Sequence, residues 1–253
     1  MKRRIRTSMD EHGIAELMMD DEETANAFCP DFFSEFEQGL AEIERFGPKA
    51  LILRGRTDVF SSGASRRELI AICEGKLCAR NMTIAEQLLD VPFPTIAAME
   101  GHAVGGGLAL ALCCDMIVAA EESRYGAPFM AIGITPGMGC TALLAEAVGP
   151  FLAAEMMYTA RSYRGSELAA RATNINRIVP RESVLAEARD LALQIADKNR
   201  EALRMLKETL AVRKKQLLAR ARAQEDIMHK LCVATGDTRK AIDEWFLEEH
   251  DNE

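Results

Sequence analysis

Ala97-Ala98-Met99-Glu100-Gly101-His102-Ala103-Val104-Gly105-Gly106-Gly107-Leu108 is the stretch whose reading decides the fold. It extends the apolar run Thr95-Ile96, so its first half reads as a buried strand. Glycines follow, and Leu108 to Asp115 then reads as an apolar helix. A strand that turns through glycines into a helix lets its backbone approach a ligand, because no Cβ stands in the way. The first N–H groups of that helix have no partner within it and carry partial positive charge. The triplet is not a dinucleotide fingerprint: G-x-G-x-x-G spacing is absent, and no matching strand–helix–strand unit opens the chain.

Upstream, Ala50-Leu51-Ile52-Leu53 reads as another buried strand, with a turn at Arg54-Gly55-Arg56-Thr57-Asp58. The run Val59-Phe60-Ser61-Ser62-Gly63-Ala64-Ser65 follows it as a second glycine turn. Two backbone N–H groups converging on one oxygen from such turns would make an oxyanion hole. Downstream, Met116 to Ala119 is a third strand. Strands alternating with helices imply an α/β architecture with mainly parallel strands. Ile14 to Met19 is strand-like. Pro30 suits the first turn of a helix, and Phe32, Phe33, Phe36, Leu40 and Ile43 give Asp31 to Arg45 one apolar face. Arg67 to Leu89 reads as mixed helix and loop, and Pro92 and Pro94 flank a break. From Glu182 the pattern is helical to the end, with Leu203, Leu206, Leu210 and Leu217 marking one face. The composition shifts near Asp197, which divides the chain into a core, 1–197, and a C-terminal helical region, 198–253.

The chain has 253 residues, with 31 Lys and Arg against 39 Asp and Glu, a net charge of −8. That balance and an aromatic content of 6% argue against nucleic-acid binding. No run approaches the ~18 apolar residues of a membrane span, and the basic start Met1 to Arg6 leads into polar residues rather than a signal-peptide core. The cysteines, 29, 73, 78, 113, 114, 140 and 232, are odd in number, show no C-x-x-C spacing and sit mostly among apolar residues. A reducing cytoplasm is expected, with no metal site.

The stretch from Lys49 to Gly149 resembles the crotonase, or enoyl-CoA hydratase/isomerase, superfamily. The resemblance rests on Ala50 to Gly55, Phe60 to Ala64, Ala97 to Leu108, Cys114-Asp115 and Gly133-Ile134-Thr135-Pro136-Gly137-Met138-Gly139, and more weakly on Ala25-Asn26-Ala27-Phe28. It implies a spiral of ββα units with a C-terminal helical region that mediates trimers, often stacked as hexamers. It also implies a thioester substrate whose carbonyl oxygen lies between the N–H groups of Ala64 and Gly106, which would stabilise an enolate.

Hydratases of this family use two glutamates. One position is occupied here by Ala109, the other by Phe129 after Pro128. Without that acid–base pair, hydration is not expected. Tyr125-Gly126-Ala127-Pro128-Phe129-Met130, Thr135 to Gly139 and Ser162-Tyr163-Arg164-Gly165 look like the decarboxylases of polyketide β-branching cassettes. Those act on 3-methylglutaconyl groups held on an acyl carrier protein and yield 3-methylcrotonyl groups. The same group carries a C-terminal histidine, matched by His229 within Glu225-Asp226-Ile227-Met228-His229. In this reading, loss of CO2 sends electrons to the thioester oxygen, the oxyanion hole holds the dienolate, and His229 delivers the proton.

Further expectations attach to Phe129, an apolar wall, and to Tyr125, a substrate contact or core residue. Some relatives place a lysine where this chain has Ile72; Arg66, Arg67 and Lys76 stand nearby and would orient the carboxylate or be solvated helix charges. His102, inside the glycine turn, would brace the loop or take part in catalysis, and His12 and His250 are expected at the surface. From Lys198 to Arg222 nine basic residues face only Glu201 and Glu208, a local +7 that leaves −15 elsewhere. Such a segment would steer an acidic carrier protein, bind the 3′-phosphate of coenzyme A, or be ordinary surface. No cofactor is called for beyond the phosphopantetheine or coenzyme A that carries the acyl group. Two other functions stay open: an enoyl-thioester isomerase and a non-catalytic binding protein of the same fold.

Overall fold

The computed structural model describes residues 3–76, 82–234 and 236–250; Cys78 and the His250 side chain lie outside them. In chain order the elements are β1 (Ile5–Met9), β2 (Ile14–Met19), α1 (Pro30–Phe46), β3 (Ala50–Arg54), β4 (Val59–Ser61), α2 (Arg66–Cys73) and α3 (Ile84–Asp90). Next come β5 (Thr95–Met99), β6 (His102–Val104), α4 (Gly106–Leu112), β7 (Met116–Ala120), β8 (Arg124–Gly126), α5 (Cys140–Val148) and α6 (Pro150–Thr159). The chain ends with β9 (Tyr163–Arg164), α7 (Gly165–Ala169), β10 (Arg177–Val179), α8 (Val184–Ala196), α9 (Arg200–Ala234) and α10 (Asp237–His250). A 3-10 turn, Pro128–Ile132, follows β8.

Two sheets are built from these strands. The larger has the order β1-β2-β3-β5-β7-β10, antiparallel at β1 and parallel elsewhere. The smaller has the order β4-β6-β8-β9. The pairs β3/β4, β5/β6 and β7/β8 each send one strand to each sheet, which is the expected spiral of ββα-type units.

The near-continuous apolar runs of β3, β5 and β7 follow from burial on both faces. Leu51, Leu53, Ala97, Met99 and Ala119 face one core, which α1 covers with Phe32, Phe36, Leu40 and Ile43. Ala50, Ile52, Ile96, Ala98, Val118 and Ala120 face the other, which α8 covers with Val184, Ala188, Ala192 and Ala196 at every fourth position. The small sheet was not anticipated as a sheet. Its strands are two or three residues long, too short for alternation to register.

The C-terminal helices pack onto the core. α8 ends at Ala196 and α9 opens at Arg200. The expected basic face is only partly free. Lys207 is 3% exposed and pairs with Asp115 at 2.8 Å; Arg213, Lys215 and Arg222 pair with Glu146, Asp90 and Glu86 of the core. Lys214 donates to the Cys114 carbonyl, and Lys198 and Arg204 pair with acids beside them. Much of the local +7 is therefore met by acids of the same chain, while Lys198, Arg200, Arg213 and Arg220 remain exposed. The expected leucine face also divides: Leu206 and Leu210 are 54% and 65% exposed, while Leu217 packs against the core.

Candidate active site

The two glycine turns meet. β4 lies parallel to β6 in the small sheet, which carries the Phe60–Ser65 turn onto the start of α4. Gly63 has φ +78°, and a Cβ there would stand 2.8 Å from the Val104 carbonyl oxygen and 2.9 Å from the Gly106 nitrogen. A Cβ on Gly107 would stand 2.4 Å from the Ser61 oxygen. Only backbone fits between the turns, which is the physical reason for glycine at both positions. Among the described residues neither the Ala64 nor the Gly106 N–H makes a backbone hydrogen bond, so two donors are free at this junction.

Ala25-Asn26-Ala27-Phe28 holds the first turn in place. Asn26 sits at φ +55°, a left-handed conformation that Asn tolerates. Its side chain accepts from the Asp21 N–H at 2.7 Å and donates to the Met19 and Phe60 carbonyls at 3.1 and 3.0 Å. Phe28 N–H donates to the Gly63 carbonyl at 2.7 Å, and Ser61 Oγ donates to the Asn26 carbonyl at 2.9 Å.

A cavity of about 210 Å³ opens beside Ala64 and Gly105. Its wall includes Leu69, Pro128, Phe129 and Ile132 together with Trp245 and Phe246 of α10, which pack against the same cluster. The polar side-chain groups in its wall are the hydroxyls of Thr24, Ser62 and Ser65 and the indole of Trp245, and no described lining residue is ionisable. Phe129 thus occupies the wall as expected, and Ala109 is fully buried in α4. Ser65 caps α2: its Oγ accepts from the Glu68 N–H at 3.4 Å and donates to the Glu68 carboxylate. Burial pushes the Glu68 carboxyl above its ordinary range.

His229 does not line the cavity. It lies one loop behind, 9% exposed, with Nε2 2.6 Å from the Thr135 carbonyl oxygen and its Cε1 edge against Gly137. A carbonyl only accepts, so Nε2 carries a proton; in the neutral ring Nδ1 is then an acceptor, and it is buried without a partner. The same loop reaches the junction of the two glycine turns, since Met138 Sδ lies 3.2 Å from where a Gly106 Cβ would be. Glu225, one turn before His229 on α9, fastens the loop by accepting from Gly139 N–H, Thr141 N–H and Thr141 Oγ1 at 2.8, 3.1 and 2.7 Å.

Other candidates fall elsewhere. Tyr125 is 1% exposed, its hydroxyl donating to Met99 and accepting from Ala120 at 2.9 and 2.8 Å, so it is a core strut. Arg66 pairs with Asp243 of α10 at 2.6 Å, and Lys76 is exposed and pairs with Glu74 at 2.7 Å; neither lines the cavity. His102 braces its turn, with Nδ1 accepting from Arg124 N–H at 2.8 Å. Cys113, Cys114 and Cys140 are fully buried in apolar surroundings that push their thiols up, the first two to about 12, which leaves them inert. Trp245, Phe246, Leu69 and Thr24 were missed, because nothing local in the sequence ties them to the glycine turns.

The enoyl-CoA hydratase/isomerase family model matches residues 9–253. The chain belongs to this family. The bacillaene synthase decarboxylase PksI of Bacillus subtilis is 36% identical over 222 residues, 87% of this chain and 88% of its own. The crotonyl-CoA hydratase of Syntrophomonas wolfei is 31% identical over 237 residues, 92% and 91% of the two chains. Among solved structures, the ECH2 decarboxylase domain of CurF from Lyngbya majuscula superposes with a TM-score of 0.89 and 32% identity, over 96% of this chain and 99% of that one. A structure from a dehydratase/decarboxylase enzyme couple involved in polyketide beta-branching gives 0.91 and 33%, over 95% and 98%. The crotonase-fold expectation from the glycine turns is met. No helix among the described residues is long and apolar enough to cross a membrane.

Proposed function

We propose that this family member is a decarboxylase (a lyase) that converts a 3-methylglutaconyl-type acyl thioester on an acyl carrier protein to a 3-methylcrotonyl-type thioester in polyketide β-branching. The observation that carries this reading is a cavity whose described lining holds hydroxyls and apolar groups but no carboxylate, beside two free backbone N–H groups. Water addition needs an acid and a base in that wall; decarboxylation needs neither to begin. The relatives that are decarboxylases support the same choice over hydration.

The C–C bond to the carboxylate breaks and its electron pair moves through the C=C bond to the thioester oxygen. The Ala64 and Gly106 N–H groups hold the resulting charge. One proton then closes the valence. His229, the source expected from sequence, stands one loop behind the cavity with its Nε2–H held by Thr135, so no direct transfer is assigned to it, and the proton is proposed to come from solvent admitted to the cavity. The apolar wall at Phe129 disfavours the charged carboxylate relative to a delocalised dienolate.

A homotrimer is proposed as the working state. The buried stripe of α9 is polar at Lys207, Glu225 and His229, while Met205, Leu206, Leu210, Ile227 and Leu231 of the same helix are at least 54% exposed. A helix with its apolar residues turned outward calls for another chain to cover them. The tether is proposed as carrier-bound phosphopantetheine.

The test is incubation with 3-methylglutaconyl-carrier protein and the matched coenzyme A thioester, followed by intact mass. Loss of the mass of CO2, faster on the carrier, is expected. An unchanged mass on both substrates sinks the reading, and proton exchange into an enoyl thioester without CO2 loss would favour an isomerase.

A further inference from the structure

Trp245 and Phe246 come from the far end of the chain, yet both stand in the wall of the cavity that opens beside Ala64. α10 is brought there by specific contacts. Ile242 is fully buried in a cluster with Leu69, Ile132 and Ile134, residues of α2 and of the segment after β8. Arg66 and Arg239 pair with Asp243 and Glu74 at 2.6 and 2.8 Å, two ion pairs that cross between α2 and α10 in opposite directions. Thr238, 2% exposed, donates from Oγ1 to the Gly133 carbonyl at 3.1 Å. The helix is fastened at its start and middle, which presents the indole and phenyl rings to the cavity.

We propose that Trp245 and Phe246 form the outer wall of the acyl cavity and set the size of the acyl group it accepts, selecting a short branched acyl chain. This rests on the reading of the cavity as an acyl-thioester site. At about 210 Å³ the space is smaller than the ~300–1,000 Å³ of pockets for drug-sized ligands. Two aromatic rings bound that space beside Phe129, Leu69 and Ile132, and their removal would enlarge it. A methylene more or less in an apolar pocket changes discrimination by roughly 10–200-fold, so a wall of this kind decides chain length. Arg66, which the sequence left as a carboxylate partner or a solvated helix charge, acts through this wall as a positioning residue. Its pair and that of Arg239 are about half exposed, so salt weakens the hold on α10.

Trp245 is the single tryptophan of the chain, so its emission reports on the cavity alone. Titration of the unmodified protein with 3-methylcrotonyl-pantetheine is expected to shift that emission saturably. Calorimetry on Trp245→Leu and Phe246→Ala is expected to show a Kd raised about tenfold for 3-methylcrotonyl-pantetheine and lowered for octanoyl-pantetheine, an inverted preference. Binding with no emission change overturns the proposal, as does an equal loss of affinity for both acyl groups, which is what a merely destabilised helix would give. Turnover of the 3-methylglutaconyl thioester is scored separately. Turnover with silent emission overturns the wall and leaves the reaction; an emission shift with inverted preference but no turnover supports the wall and overturns the reaction.

Discussion

Gly63 holds the geometry on which the proposed chemistry depends. Its φ of +78° is open to glycine at little cost, and a methyl group there would press on the Val104 oxygen and the Gly106 nitrogen. Gly63→Ala is expected to part the two turns and lower kcat about 100-fold, the scale of losing one oxyanion donor. Steady-state kinetics with a folded variant, checked by circular dichroism, measures it. Glu68 provides a pH signature. Its carboxyl titrates above the ordinary 4.5 because of burial, so in the window above that value the folded chain holds more proton than the unfolded one. Stability contributed through this group therefore falls as pH rises through the window. Glu68→Gln should remove that slope, and its advantage in urea midpoint over the parent should grow from about pH 4 to about pH 7. An advantage that stayed constant would assign Glu68 no such role.

At the scale of elements, α9 inverts the usual arrangement. Its inward positions recur with helical spacing, but several are charged: Lys207 reaches Asp115, and Glu225 caps the start of α5. Asp115 also accepts from Thr95 N–H and Oγ1, at 2.8 and 3.0 Å, so one carboxylate ties α9 to the start of β5. Lys207→Met leaves that carboxylate without its cation and should cost roughly 3–5 kcal/mol, read from chemical denaturation. A cost near zero would class the pair with ordinary surface bridges. An apolar-periodicity reading of this helix selects the leucines, half of which face outward, and passes over the lysine and glutamate that face in.

At the scale of the whole molecule, charges distant in sequence pair across one interface. The basic run of α9 and acids of the core meet across their interface at Lys207, Arg213, Lys215 and Arg222. The outward apolar residues of α9 carry the proposed assembly. Leu210, 65% exposed, gives the test: Leu210→Asp should convert a trimer to monomers in light scattering while leaving the monomer folded. An unchanged mass would move the interface away from this face.

The long strands, the helix over Pro30 to Phe46 and both glycine turns were legible in the sequence, because apolar period and glycine placement are local properties of neighbouring residues. So was the absence of the two hydratase glutamates at Ala109 and Phe129, since residue type at a motif position needs no coordinates. Both glycine turns were read as turns, but that Gly63 and Gly106 touch is a fact of β4 lying beside β6. The tertiary structure alone decided the rest: the small sheet, Tyr125 as a strut, the basic run paired with acids of the core, His229 behind the Thr135 loop, and Trp245 with Phe246 in the cavity wall. Each of these depends on residues distant in the chain meeting in space, and such meetings leave no periodic trace along it.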